Sequence, residues 1–257
     1  MEKKLFSWFA VHERVIVWGI AAILFVAGSI ITITKLAALG YNALDLGIFH
    51  QVVANTAKGG WFAMSIHLHS YFGDHISPFL ILVVPFYAII PRAETLLVIQ
   101  SAVVALGIFP LAALARPLRP PIRLAVLFAY AASPLIHAFI TFEFELLVFA
   151  VPILLAGILS YERQQYRRFL VWLILAMAIR EDVGLVALGI AALAWREGRS
   201  RRWSVVPALL GLAVFFGGMV ISGSINHEQY KFLAYYRWAG DSAAQAFGYL
   251  LSHPWMI

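Results

Sequence analysis

The sequence predicts an all-α, polytopic transmembrane helical bundle, and three observations lead to that class. The chain has 257 residues, of which 62% are hydrophobic and 12% charged, a composition suited to lipid rather than to water. Several apolar runs approach the roughly 20 residues that cross about 30 Å of hydrocarbon, among them residues 15–34, 96–115 and 205–221. Arginine-rich clusters separate such runs, as they do in the cytoplasmic loops of membrane proteins.

Charge asymmetry orders the predicted spans. Short basic loops stay in the cytoplasm, so the amino terminus and the basic clusters at 116–123, 162–168 and 196–202 are expected on that side of the plasma membrane. An even number of crossings must then separate successive clusters. We therefore predict about seven spans in a single transmembrane domain, residues 1–257: 15–34, 96–115, 124–139, 146–160, two short spans within 169–195, and 205–221.

Residues 35–94 form the predicted first extracytoplasmic loop, with interfacial helices. The apolar run that precedes this loop is too long for a signal peptide and is expected to remain as an uncleaved span. Residues 42–60 predict a surface helix that a glycine pair ends. Residues 76–90 are too short to cross the bilayer and predict a helix that dips into it or lies at its surface.

This topology places the remaining chemistry on the outer side. The chain has no cysteine, which excludes disulfides and thiolate chemistry. No phosphate-binding loop or nucleophile signature is present, and basic residues confined to loops argue against a nucleic-acid partner. The carboxylates, imidazoles and guanidinium that remain are the candidate site residues: Asp45, His50, His67, His69, Asp74, His75, Glu143, Glu145, Arg180, Glu181 and Asp182.

The sequence FEFE, residues 142–145, connects two predicted spans at the outer surface. Two carboxylates two positions apart share a face in an extended chain but not in a helix. One interpretation is an exposed connector with solvated acids. The other places Glu143 or Glu145 in an outer cavity, and the sequence leaves the choice between them open.

The sequence IREDVG, residues 179–184, puts three consecutive charges inside an apolar hairpin. Charges at membrane depth are costly unless they face the bundle interior and find partners, so such residues are functional candidates. The structural alternative is an ion pair of Arg180 with Glu181, Asp182 or Glu143. The functional alternative is a cationic group that holds a phosphate.

The sequence HLHSYFGDH, residues 67–75, carries three imidazoles and a carboxylate. His67, His69 and Asp74 predict a possible divalent metal site if the chain is extended there, although their spacing fits no established zinc pattern. The alternative is a polar loop at the membrane surface. His137, inside an apolar run, is expected to be a hydrogen-bonded residue of the bundle.

Several segments carry a family resemblance over residues 36–189. They are LDLGIFHQ, DHISPFLILVVPFYAI, the stretch 109–116, HAFITFEFE and AIREDVGLVALG. In this order they resemble the domain-of-unknown-function 2079 family of prokaryotic membrane proteins. That family is distantly similar to the GT-C glycosyltransferases, which include the protein O-mannosyltransferases and the lipid A aminoarabinose transferase.

The GT-C resemblance implies a transferase with a polyprenyl-phosphate sugar donor and an extracytoplasmic active face. Asp45 matches the catalytic acidic residue of the first outer loop, and Glu143 and Glu145 match a second one. The substrate-binding residues would be His50, Gln51, His75, Arg180, Glu181 and Asp182. Relatives continue beyond the final LLSHPWMI, which implies a chain truncated at its carboxyl end. The alternative is a transporter or lipid-binding membrane protein without transferase activity.

Overall fold

The computed structural model describes residues 2–42, 44–67, 69–227 and 231–256, and within these the chain forms helices and turns without a strand. The α-helices are numbered in chain order: α1 (Glu2–Ala37), α2 (Leu44–Ala57), α3 (Val84–Ile89), α4 (Ala93–Leu106), α5 (Ile108–Ala115), α6 (Pro120–Ala132), α7 (Pro134–Thr141), α8 (Ala150–Glu162), α9 (Tyr166–Met177), α10 (Val183–Arg196), α11 (Arg201–Asn226) and α12 (Ala243–Ser252). Short 3-10 helices lie at Tyr71–Gly73, Pro78–Leu82, Leu146–Phe149, Lys231–Ala239 and Pro254–Met256.

Helices long and apolar enough to cross a membrane are present, as predicted. Within the described ranges there are 4, at His12–Ala37, Ala93–Ala115, Pro120–Thr141 and Arg201–Asn226. Shorter apolar helices occur at Pro78–Ile89, Leu146–Glu162 and Val183–Arg196. The all-helical membrane class is therefore confirmed, and the seven-span count stays a prediction because it depends on whether the shorter helices cross.

A tyrosine from the next span approaches the joint between α4 and α5, at Gly107 in the span Ala93–Ala115. The Tyr130 hydroxyl donates a hydrogen bond of 2.6 Å to the Val104 carbonyl oxygen. A Cβ atom at Gly107 would collide with that hydroxyl. Glycine thus allows α6 to approach the joint between α4 and α5.

The span Pro120–Thr141 bends between α6 and α7 at Pro134. Proline has no backbone N–H and disfavours the helical conformation in the preceding residue, and Ser133 is extended with φ −62° and ψ 125°. The His137 ring nitrogen Nε2 lies 2.6 Å from the Ala131 carbonyl oxygen beside this bend. His137 therefore makes the predicted hydrogen bond, but its side chain is exposed rather than packed inside the bundle.

The predicted hairpin within 169–195 consists of α9 and α10, joined by the turn at 178–182. These two helices have different principal neighbours, since α9 packs mainly against α8 and α10 against α11. The α10–α11 crossing is close: a Cβ atom built on Gly184 would lie 2.5 Å from the Gly211 carbonyl oxygen. The turn is consequently fixed by helices on both of its sides.

The segment between α1 and α4 contains the predicted surface helix, which is α2. It ends before Gly59, whose φ of 88° is a left-handed conformation that glycine adopts readily. The predicted dipping helix at 76–90 is broken into a 3-10 turn at Pro78–Leu82 and the short helix α3. Both pieces pack against α2.

The basic clusters gather at one end of the bundle. Arg123 pairs with Glu13 at 3.0 Å, which joins the start of α6 to α1. The hydroxyl of Tyr166 donates to the Arg202 carbonyl oxygen at 3.0 Å, which joins the start of α9 to the start of α11. The side chains of the predicted amino-terminal cluster, Lys3 and Lys4, lie outside the described part of the structure. We call the end of the bundle that contains Arg123, Tyr166 and Arg202 the basic end.

Candidate functional site

Three connecting segments meet at the opposite end of the bundle. The Leu46 amide at the start of α2 donates to the Glu143 Oε2 atom at 2.9 Å. Arg180, in the turn between α9 and α10, lies 3.7 Å from Glu145 between its Nη1 and Oε1 atoms. We call Asp45, Glu143, Glu145, Arg180 and Asp182 the carboxylate cluster, because four of the five are acids and Arg180 pairs with two of them.

Gln100 in α4 holds the 142–145 turn in place. Its side-chain amide donates to the carbonyl oxygens of Phe139 at 2.7 Å and Glu143 at 3.3 Å. Its Oε1 atom accepts from the Glu145 amide at 2.7 Å. Gln100 is fully buried, so these bonds satisfy a polar side chain inside a membrane span. The lone glutamine in an apolar run was the available signal for this residue, and sequence reasoning missed it.

Glu143 is an anchored carboxylate. Its exposed fraction is 5%, and the bond to the Leu46 amide satisfies a free N–H in the first turn of α2. The sequence predicted a helix here, and the acceptor comes from 97 residues away in the chain. Of the two glutamates that the sequence could not separate, Glu143 is the one that fixes α2.

Asp45 lies half-buried in the first turn of α2. Burial raises the pKa of its carboxyl above the ordinary value, and the nearby charge of Glu143 raises it further. A carboxyl with a raised pKa and partial exposure is suited to accept a proton near neutral pH. The same two causes, burial and Glu143, raise the pKa of the Tyr41 hydroxyl.

Arg180 is held by acids on two sides. It binds Asp182 through two hydrogen bonds, 2.9 Å from Nε to Oδ1 and 2.6 Å from Nη2 to Oδ2. Its Nη1 atom faces Glu145. Of the three partners that the sequence offered, Arg180 pairs with Asp182, and its second partner, Glu145, was not among them. Arg180 and Asp182 retain partial exposure, so the pair forms part of the rim of the cluster.

Glu181 and His75 form a separate contact, which we call the loop clasp. Glu181 is fully buried; its Oε1 atom lies 2.8 Å from the His75 Nδ1 atom, and Oε2 accepts from the Ile76 amide at 2.9 Å. The Phe79 amide donates to the Ala178 carbonyl oxygen at 2.9 Å beside it. The clasp thus joins the loop between α2 and α3, residues 58–83, to the α9–α10 turn. The substrate-binding roles predicted for Glu181 and His75 stay predictions.

The imidazoles of His67 and His69 both approach Asp74. Their Nε2 atoms lie 3.5 and 3.8 Å from its two carboxylate oxygens, and Asp74 is buried with an exposed fraction of 4%. The Nδ1 atom of His69 lies 2.8 Å from the Ser70 carbonyl oxygen. Among the described residues, no group of three or more His, Cys, Asp or Glu side chains is arranged to hold a metal ion. The three side chains lie close together at ion-pair distances, and their predicted role as metal ligands stays a prediction.

His50 and Gln51 connect α2 to the chain that follows it, through Tyr87 in α3 and Ser65 in the preceding loop. The His50 Nε2 atom lies 2.9 Å from the Tyr87 hydroxyl. Gln51 exchanges two hydrogen bonds of 2.8 Å with Ser65. Five residues along a helix turn by about 140°, so His50 projects from a different side of α2 than Asp45 does. The substrate contacts predicted for His50 and Gln51 stay predictions.

Lys35 and Tyr71 join the site without having been singled out in the sequence. Lys35 ends α1, donates from Nζ to the Thr141 carbonyl oxygen at 2.8 Å and lies 4.5 Å from the centre of the Tyr41 ring. Tyr71 is buried, and burial raises its pKa, with Glu145 raising it further. A cation at the end of the first span was the available signal for Lys35.

An apolar groove of about 260 Å³ runs between α1 and the bent pair α6–α7. Ile20, Leu24 and Phe128 line its walls, and His137 and Thr141 lie at the α7 side. Thr141 is also the residue whose carbonyl accepts the bond from Lys35. Thr141 therefore connects the groove to Lys35, and it precedes Glu143 by two residues.

Comparison with known proteins supports the membrane assignment. No curated protein and no solved structure was found to match the chain. A family model described as "Predicted membrane protein (DUF2079)" matches residues 35–257, which include the carboxylate cluster, the loop clasp and the α6–α7 side of the groove. The match covers well over half of the chain, and the chain belongs to this family of membrane proteins of unknown function, DUF2079.

Proposed function

We propose that the protein is a membrane glycosyltransferase that uses a polyprenyl-phosphate sugar donor at the carboxylate cluster. The observation that carries this proposal is the position of Asp45, a half-buried carboxyl of raised pKa. It lies near Glu143, at the end of the bundle where Thr141 both lines the apolar groove and accepts a hydrogen bond from Lys35. A proton acceptor, a cation and a channel for a lipid tail are thus neighbours.

The groove between α1 and α6–α7 suits a polyprenyl tail. Its lining is almost entirely aliphatic and aromatic, and the hydrocarbon chain would pass between spans without entering water. Lys35 would then meet the donor phosphate, because its Nζ atom is bonded to a neutral carbonyl. Arg180 is a weaker candidate for this contact, since Asp182 and Glu145 already neutralise it.

The proposed reaction is a single displacement. The acceptor hydroxyl gives its proton to Asp45 while its oxygen bonds to the anomeric carbon of the sugar. The bond from that carbon to the phosphate oxygen breaks, and polyprenyl phosphate leaves with the electron pair. Lys35 stabilises the negative charge on the leaving phosphate. Glu145 is less buried than Glu143 and is therefore the glutamate available to orient the acceptor. The proposed steps use side chains alone.

The test is transfer from radiolabelled polyprenyl-phosphate sugars by protein reconstituted in vesicles. Asp45→Asn should lower the rate about 10²- to 10⁴-fold, the usual range for loss of a general base. Lys35→Gln should raise the donor KM and lower kcat. Glu162→Gln, an exposed carboxylate at the basic end, is the matched control and should keep full activity. Full transfer by the Asp45→Asn variant would contradict the proposal.

A transporter is the second candidate, and the ionic network of the α9–α10 turn favours it. Arg180, Asp182 and Glu145 are linked within ion-pair distance at the end of short apolar helices, as ionisable groups are in ion-coupled carriers. Melting temperatures in detergent separate the two functions, because a ligand that binds only the folded protein stabilises it. Stabilisation by donor lipid supports the transferase, and stabilisation by ions alone supports transport.

A further inference from the structure

The basic end of the bundle contains a pocket that is separate from the carboxylate cluster. It has a volume of about 470 Å³ and lies between α8 and α9, within the range of 300–1,000 Å³ typical of ligand sites. Its rim carries Arg163, Arg167 and Arg168. An adjoining pocket of about 410 Å³ shares two of these arginines and adds Tyr166 and Arg202.

The rim arginines differ from Arg123 and Arg199, at the same end, in their partners. Arg123 is paired with Glu13, and Arg199 is paired with Glu197 at 2.7 Å. Arg168 instead binds the neutral Gln165 side chain at 3.2 Å.

No ion pair within 4 Å joins Arg163, Arg167 or Arg168 to a carboxylate in the described part of the chain. Glu162 is exposed and lines neither pocket. The rim therefore has uncompensated positive charge.

The other half of the pocket is apolar. Ala156, Leu159, Val171 and Trp172 form this part of the lining. Val171 has an exposed fraction of 63% although it lies in an apolar helix, which is the pattern of a side chain that faces lipid. A cationic rim above an apolar wall matches a ligand with an anionic head and a hydrocarbon tail.

Aromatic contacts hold the turn that carries the rim. Tyr161, at the end of α8, packs edge-on against Phe169 and Trp203 with ring centres 5.6 and 5.3 Å away. The Arg199 guanidinium lies 3.5 Å from the centre of the Tyr161 ring. Because these contacts fix both helices, the arginines on the rim are positioned before a ligand arrives.

We propose that this pocket binds the phosphate headgroup of an anionic membrane lipid, with one acyl chain against Val171 and Trp172. Arginine forms strong, charge-assisted hydrogen bonds to phosphate, and basic pockets between spans are suited to anionic headgroups. A soluble phosphate compound would use the rim and leave the apolar wall uncovered. The lipid uses both halves, which is why we assign the pocket to a lipid.

The experiment measures lipid binding to the detergent-solubilised full chain by native mass spectrometry, with phosphatidylglycerol and phosphatidylcholine as probes. Phosphatidylglycerol should bind at least tenfold more tightly. The combined change Arg163→Gln, Arg167→Gln and Arg168→Gln should remove this preference. Its melting temperature without lipid should stay unchanged, because the three side chains are exposed and make no ion pair.

Two controls separate this site from general charge attraction and from a phosphate site. Neutralising Arg119, Arg196 and Arg201 removes equal charge from the same end without touching the pocket, and should change binding less than twofold. Val171→Gln should weaken lipid binding. In this variant, as in the original chain, inorganic phosphate should not displace the bound lipid. Equal losses in both triple variants, or displacement of the lipid by millimolar inorganic phosphate, would overturn the proposal.

Discussion

At the scale of single residues, Glu143 has two effects that come from one buried carboxylate. It accepts the hydrogen bond from the Leu46 amide, and its charge contributes to the raised pKa of Asp45. The first effect needs an acceptor atom, whereas the second needs a negative charge. Substitutions can therefore separate them.

Replacing Glu143 by glutamine should keep the fold and change the pH profile. The amide oxygen can still accept from Leu46, but the negative charge is gone, so the pKa of Asp45 falls towards its ordinary value. The acidic limb of the pH–rate profile should move to lower pH, measured as kcat/KM in the transfer assay. Glu143→Ala should instead lower the free energy of unfolding by about 1–3 kcal/mol, because a buried N–H loses its acceptor. An unshifted profile in Glu143→Gln would contradict the coupling.

Replacing Asp45 by asparagine should stabilise the folded protein at neutral pH. The pKa of Asp45 is higher in the folded than in the unfolded chain, so the folded form binds the proton more tightly. Its contribution to stability is full below the unfolded value of about 3.9 and is lost as pH rises through the folded value.

The melting temperature of Asp45→Asn should exceed that of the original chain at pH 8, on the order of 1 °C. The difference should shrink towards pH 4. A variant less stable at pH 8 would show that the carboxylate stabilises α2 by more than its burial opposes. Activity should fall in the same variant that gains stability, as at many active sites.

At the scale of helices, the α10–α11 crossing positions the α9–α10 turn. Gly184 is the second residue of α10, two residues after Asp182, and Gly211 faces it from α11. Gly218, about two turns further along α11, lies against the Glu181 side chain, and a Cβ atom there would collide with it. Small residues allow two backbones to approach closely in membranes. The turn with Arg180 and Glu181 therefore depends on glycines in two helices.

Alanine at Gly184 or Gly211 should push α10 away from α11. A new Cβ atom at either position would lie 2.5 Å from the opposing carbonyl oxygen, and overpacking of this kind costs about 1–3 kcal/mol. We expect a lower melting temperature and loss of transfer activity. Gly189→Ala and Gly217→Ala are controls in the same helices, because nothing lies within 4 Å of a Cβ atom there. Destabilisation by the controls to the same extent would assign the effect to helix glycines in general.

At the scale of the whole molecule, the bundle has chemically different ends. Glu143, Glu145 and Arg180 meet at one end, and Arg123, Tyr166 and Arg202 make their contacts at the other. The basic end is expected in the cytoplasm because positive loops remain there. The proposed transfer would then take place on the outer face.

Single cysteines should report these sides directly, because the chain has no cysteine of its own. Gln165→Cys at the basic end should react with a membrane-impermeant maleimide only after permeabilisation of the cells. Lys58→Cys, at the exposed end of α2, should react in intact cells. Reaction of both from the same side would contradict the arrangement of the spans.

Local properties were predictable from the sequence. Apolar length and charge asymmetry identified the membrane class and the basic turns, and turn residues identified α2 together with its end at Gly59. These features depend on residues that are close in the chain. The close approaches at Gly107 and Gly184 were not predicted, because the atoms that require glycine there belong to Tyr130 and Gly211 in other helices.

The site divides in the same way. The sequence by itself determined which ionisable residues are available and that they fall between apolar runs, because charge and hydropathy are properties of the residues themselves. Only the tertiary structure decided that Glu143 anchors α2, that Arg180 pairs with Asp182 and Glu145, and that Glu181 closes on His75. The bonds from Leu46 to Glu143 and from His75 to Glu181 span 97 and 106 residues. Contacts this distant depend on how the helices pack, and no local pattern encodes that packing.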